Sequence, residues 1–174
     1  PDMLQIQGDN TRVSGNDFQN VGDSVIDFDT FADGTPNTLL VYNNVFRITT
    51  VIDPYPEFFR LYRSSGATLQ SISNVKILNN VFADNDGGYR VIRFDTFGGN
   101  PTATGNEIKN NLFVNDGGGD ASTPIIYVAN SSAFTSSSFA LDFNTYFNAS
   151  GPQYVVFRGA TSTVANWIAA NEPH

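Results

Sequence analysis

Cysteine is absent from the 174 residues, which excludes disulfides, thiolate nucleophiles and thiolate metal sites. Lysine occurs twice and glutamate three times, so two of the residues that usually cover helix surfaces are nearly missing and helices should be rare. The single histidine is His174, at the end of the chain, so neither a Ser-His-Asp triad nor a His-built zinc centre can be assembled. No P-loop and no dinucleotide-binding glycine fingerprint opens a helix, which argues against a nucleotide cofactor. No run approaches the roughly 18 apolar residues of a membrane helix. Acids outnumber bases 17 to 9, for a net charge of -8, and such a surface repels nucleic acid and anionic membranes. The expectation is a soluble chain with neither as a partner.

Asparagine, in contrast, occurs 20 times and phenylalanine 15 times. Asn together with Gly points to many turns that need positive φ, and Phe points to a stacked interior. The length suits one domain with a real core, residues 1–174. Its first residues, MLQIQGDNTRVSGNDF, already read as mid-repeat, so the expectation is a C-terminal portion of a longer protein.

An Asn-x-aromatic pattern recurs at Asn16, Asn44, Asn80, Asn111 and Asn144, with spacings of 28, 36, 31 and 33. Apolar residues lie upstream of four of these asparagines, so each marks a short strand entering a turn. A second short strand follows each one: SVIDF, FRLYR, YRVIRF, PIIYV and YVVF. Aligning their apolar pairs places Val25-Ile26, Leu61-Tyr62, Val91-Ile92, Ile125-Ile126 and Val155-Val156 at one level. The near-identical VIDFDTF (25–31) and VIRFDTF (91–97) are then one strand written twice. A repeat of about 32 residues without helices fits an all-β parallel β-helix of about five coils, in which each coil buries its apolar face only by stacking. The recurrent asparagines would form a side-chain ladder. The one helix signal is TSTVANWIAANE (161–172), with Ser162 or Thr163 as cap and Val164, Trp167 and Ile168 on one face. It would cap the last coil, leaving the first coil as a route to a homo-oligomer.

The asparagine turns and the ending LDFNTYFNASG, VFRG and ANWIAAN resemble right-handed parallel β-helix proteins of the pectate-lyase-like superfamily, especially secreted bacterial ones. The resemblance implies a right-handed helix, a secreted or cell-surface location and a polysaccharide partner. GGYRVIR (87–93) resembles a strand of the chondroitinase B and alginate lyase family. That implies β-elimination on uronate polymers by a Lys/Arg pair, with calcium as a frequent cofactor.

The candidate site is an arginine ladder. The alignment sets Arg60 beside Arg90 and Arg63 beside Arg93, and stacked like charges cost about 0.2–1 kcal/mol per pair. One reading is an anion site, since guanidinium forks suit carboxylates. In its catalytic form Arg63 and Arg93 neutralise the substrate carboxylate while Arg90, Lys76 or Tyr127 takes the proton. Arg60, Asp27, Asp95 and Tyr127 would bind substrate. The other reading is a charge ladder in which Asp27, Asp29 and Asp95 simply balance the arginines. Asp84, Asp86, Asp116 and Asp120 lie in consecutive acidic turns that suit Ca²⁺, or that only use Asp-Gly turn chemistry. Two functions stay open: an extracellular carbohydrate-interacting β-helix, as a polysaccharide lyase or binding fragment, and a non-catalytic structural or adhesive surface β-helix.

Overall fold

The computed structural model describes residues 4–6, 10–20, 24–30, 37–48, 57–63, 71–84, 91–95, 102–115, 124–129, 134–135, 137–148 and 154–171. Its strands come in successive groups: β1 (Leu4–Ile6), β2 (Thr11–Ser14) and β3 (Asp17–Gln19), then β4 (Ser24–Thr30), β5 (Asn37–Tyr42) and β6 (Val45–Ile48). Next come β7 (Glu57–Arg63), β8 (Ser71–Leu78) and β9 (Val81–Asp84), followed by β10 (Ile92–Phe94), β11 (Thr102–Thr104), β12 (Asn106–Lys109) and β13 (Leu112–Asn115). The chain ends with β14 (Ile126–Val128), β15 (Phe139–Asp142), β16 (Thr145–Asn148), β17 (Tyr154–Phe157), β18 (Ala160–Thr163) and α1 (Val164–Asn171).

These strands build three sheets that the chain visits in turn. Sheet A runs β1-β4-β7-β10-β14-β17-β18, sheet B runs β15-β12-β8-β5-β2 with β11 also on β8, and sheet C runs β16-β13-β9-β6-β3. Pairing is parallel except for the antiparallel β17–β18 pair at the end of sheet A. An all-β chain that cycles through stacked parallel sheets is compatible with a β-helix. Among the described residues no helix is long and apolar enough to cross a membrane.

Two side-chain stacks explain why the repeats pile up. Asn16, Asn44, Asn80, Asn111 and Asn144 form a ladder in which each Nδ2 donates to the next Oδ1 at 3.1 Å. From the second rung onward Nδ2 also reaches a backbone carbonyl of the preceding repeat, as in Asn80 to Val41 O at 3.0 Å. This satisfies amides that are almost fully buried in the middle rungs. The residue before each ladder asparagine is left-handed: Gly15, Asn43, Asn79, Asn110 and Phe143 have φ between 55° and 70°. Asn and Gly tolerate that region best, which accounts for the Asn-Asn pairs in the sequence. Beside the ladder, Phe18, Phe46, Phe82, Phe113 and Tyr146 stack with centroids 4.9–5.2 Å apart.

Sheet A turns a corner just before its outward row. Val25-Ile26, Phe58-Phe59, Val91-Ile92 and Ile125-Ile126 are each consecutive and all buried, which a straight strand of period two cannot achieve. The chain bends there, and the amides of Phe58 and Phe59 both donate to Val91 O at 3.1 and 3.0 Å.

This corner corrects the alignment in two places. Arg93 pairs with Arg60, not Arg63, and Arg63 falls opposite Thr30. Phe58-Phe59-Arg60 and Leu61-Tyr62-Arg63 are both an apolar pair followed by arginine, three residues apart, and the structure takes the first. Phe58 and Phe59 fill the core against Phe46, Phe82 and Phe94, and Arg60 meets Asp27. In the last strand Val155, not Val156, follows Ile126, so Val156 rather than Phe157 stands in register with Tyr127.

At the C-terminal end the expected helix is present. Thr163 Oγ1 accepts from Asn166 N at 3.3 Å, the N-cap bond, and Val164, Trp167 and Ile168 pack on the core with Trp167 5.4 Å from Phe157.

Candidate functional site

The outward row of sheet A reads Asp27, Arg60, Arg93, Tyr127, Val156 across five parallel strands. Strand alternation puts these residues on one face, since buried Ile26, Phe59, Ile92 and Ile126 precede the first four. Arg60 Nη2 donates to Asp27 Oδ2 at 2.8 Å, with 15% and 2% of the two side chains exposed. Arg93 lies between two acids, donating from Nη2 to Asp95 Oδ2 at 2.9 Å and from Nη1 to Glu57 Oε1 at 3.3 Å. The face therefore carries three carboxylates around two guanidinium groups that stack at strand spacing, and the acids offset the like-charge repulsion.

Burial alone would lower the Arg93 pKa, but the charges of Glu57 and Asp95 and their hydrogen bonds outweigh it, and the net direction is upward. Such a guanidinium keeps its proton. It can orient and donate but cannot act as a base.

The other sequence candidates separate in space. Lys76 is on sheet B, 3.0 Å from Glu107, and so does not serve as a base beside Arg93. Tyr127 is next to Arg93 in register and half-buried. Asp29 stands opposite Tyr62, one position from Arg63; the side chains of Asp29, Tyr62 and Arg63 are outside the described residues, as is all of Arg90. Of the calcium candidates, Asp84 lies at the end of β9 opposite Asn115, and Asp86, Asp116 and Asp120 lie outside the described residues. Among the described residues no group of three or more acids or histidines is arranged to hold a metal ion. Glu57 was missed in the sequence because EFF followed a Pro-rich stretch that reads as a loop. The available signal was the unbalanced arginine itself, which needed a second acid.

The three outward faces differ in character. Sheet B carries Lys76 and Lys109 beside Glu107 at 3.0 and 3.5 Å, whereas sheet C presents Val45, Val81, Leu112, Ala83 and Val114 with the exposed pair Arg47 and Asp17, 3.4 Å apart, beside them. Among the described residues, the sheet A row Asp27, Arg60, Arg93, Tyr127 joins two guanidinium forks, a carboxylate and an aromatic ring on adjacent strands. Comparison with protein-family models, with curated proteins and with solved structures finds no match.

Proposed function

We propose that this chain is a right-handed parallel β-helix of about five coils, of the pectate-lyase-like kind, that is secreted or cell-surface and binds a polysaccharide along sheet A without cleaving it. The cyclic order of the three sheets supports the helix, and the strong right-handed preference of parallel crossovers supports its hand.

The observation that carries the binding reading is the enclosure of both arginines by acids of the same face, Arg60 by Asp27 and Arg93 by Glu57 and Asp95. A substrate carboxylate would meet guanidinium groups whose charge is already balanced by protein carboxylates 2.8–2.9 Å away, and would be repelled by those carboxylates. A sugar hydroxyl, which both donates and accepts, can instead add to the edges of these pairs. Tyr127, in line with them, offers a ring face for an apolar sugar face. The favoured polymer is therefore hydroxyl-rich rather than strongly anionic, in keeping with the net charge of -8.

The test is isothermal titration against neutral and uronate polysaccharides, with and without calcium, while ultraviolet absorbance follows any unsaturated product. Binding to a neutral polymer, without product and weakened about tenfold by Tyr127→Ala, is the expected result. Unsaturated product would make the protein a lyase. No binding to any polymer would leave a structural or adhesive β-helix whose ion pairs serve the stack alone.

A further inference from the structure

A second concave site lies on sheet B, away from the polysaccharide face, and does not depend on that reading. It is a cavity of about 300 Å³ along β2, β5 and β8, at the small end of ligand pockets. Its base is the in-register row Arg12, Leu40, Lys76, and its rim includes the corner residues Asn10, Thr38 and Asn74. These three share left-handed φ values of 57–61°.

The charge here is inverted relative to the whole. The protein carries -8, yet the described lining holds two cations and no carboxylate. Arg12 is exposed, with no ion pair to any described residue. Lys76 is bound to Glu107 at 3.0 Å while 39% of its side chain stays exposed, and an ammonium has two further protons to donate. Between them Leu40 is a half-buried apolar surface, and Asn10 and Asn74 contribute amides that can both donate and accept.

We infer that this cavity binds a small hydroxylated carboxylate, a single sugar-acid ring. Arg12 takes the carboxylate in its planar fork and supplies the unbalanced positive charge, Lys76, whose charge Glu107 balances, donates a further hydrogen bond, the asparagine amides bond the hydroxyls, and Leu40 lies under the apolar face of the ring. No bond is made or broken.

Titration of the full chain with D-glucuronate, D-glucose and inorganic phosphate, followed by calorimetry or amide chemical shifts, tests this. D-glucuronate should bind saturably, at least tenfold more tightly than D-glucose or phosphate, and more weakly as salt is raised. Arg12→Gln should weaken D-glucuronate binding at least tenfold while leaving the melting temperature unchanged, since Arg12 is exposed. Equal affinity in Arg12→Gln, equal binding of D-glucose, preference for phosphate, or no saturable binding would each overturn the assignment. A methyl glycoside of glucuronate separates the two sources of such a ring. Undiminished binding means the cavity accepts the end residue of a chain, and loss of binding means it takes the free acid.

Discussion

Arg60 Nη2 lies 2.8 Å from Asp27 Oδ2 across two adjacent strands, and only 2% of the aspartate side chain reaches solvent. Removing the cation strands a buried charge, whereas removing both partners does not. We predict that Arg60→Met lowers unfolding free energy by about 3–5 kcal/mol and that adding Asp27→Leu recovers most of the loss. Urea unfolding of the two single variants and the double variant measures this. A loss under about 1 kcal/mol for Arg60→Met would mean that the pair contributes little to the stack.

Asn80 accepts from Asn44 N and Nδ2 through its Oδ1 and donates to Val41 O and Asn111 Oδ1, all while buried. Asn80→Ala leaves several of these groups without a bond, at about 1–3 kcal/mol each, so a loss of at least about 3 kcal/mol is expected. Asn16 occupies the exposed end of the same ladder, where water can replace it, and Asn16→Ala should cost under about 1 kcal/mol. Equal losses at the two rungs would show that burial does not set the ladder's contribution.

Phe82 is 1% exposed, stacked between Phe46 and Phe113, while Phe147 on the outside of sheet C is 56% exposed. Truncating Phe82 to alanine should cost about 3–5 kcal/mol. Phe147→Ser should change stability by no more than about 0.5 kcal/mol. Thermal denaturation of both variants checks the contrast.

Burial would raise the Glu107 pKa, but the hydrogen bond from Lys76 and the charges of Lys109 and Lys76 outweigh it and hold the carboxyl below its ordinary value of 4.5. A lowered folded pKa means that the stabilisation is present above 4.5 and is lost as pH falls through the folded value. Glu107→Gln should therefore be less stable than the parent at pH 7 and equal to it at about pH 2. Melting temperature against pH reads this directly, and a constant gap between the two proteins would contradict it.

Gly105 has φ +64°, and a Cβ there would lie 2.7 Å from Asn74 Oδ1. Gly105→Ala should cost about 1–2 kcal/mol for the left-handed backbone alone, with a further loss from displacing Asn74. In Asn74→Ala the second part should vanish and the first remain, as a double-mutant cycle would show.

Much of the architecture was legible in the sequence. The asparagine ladder, the phenylalanine stack, the Asn-Asn corners and the cap on α1 each depend on a short local pattern, and periodic repetition of that pattern is what places the residues above one another. A left-handed corner followed by an amide that bonds to its own copy recurs at the same point of every repeat, as Asn-Asn in the middle three and as Gly15-Asn16 and Phe143-Asn144 at the two ends. The arginines were different. Phe58-Phe59-Arg60 and Leu61-Tyr62-Arg63 satisfy the same local pattern three residues apart, and an odd slip in a strand reverses which side chains face the core. Only the stacked structure decides between them, because the choice rests on whether Phe58 and Phe59 fill the space beside Phe46 and Phe94 and whether buried Asp27 finds a cation in the next strand. The same holds for Glu57 as a partner of Arg93 and for the distance of Lys76 from both. By itself the sequence determined the asparagine and aromatic stacks, since these are set by repetition along the chain; the register of sheet A and which charge meets which were left to the tertiary structure, since both depend on packing against neighbours some 30 residues away.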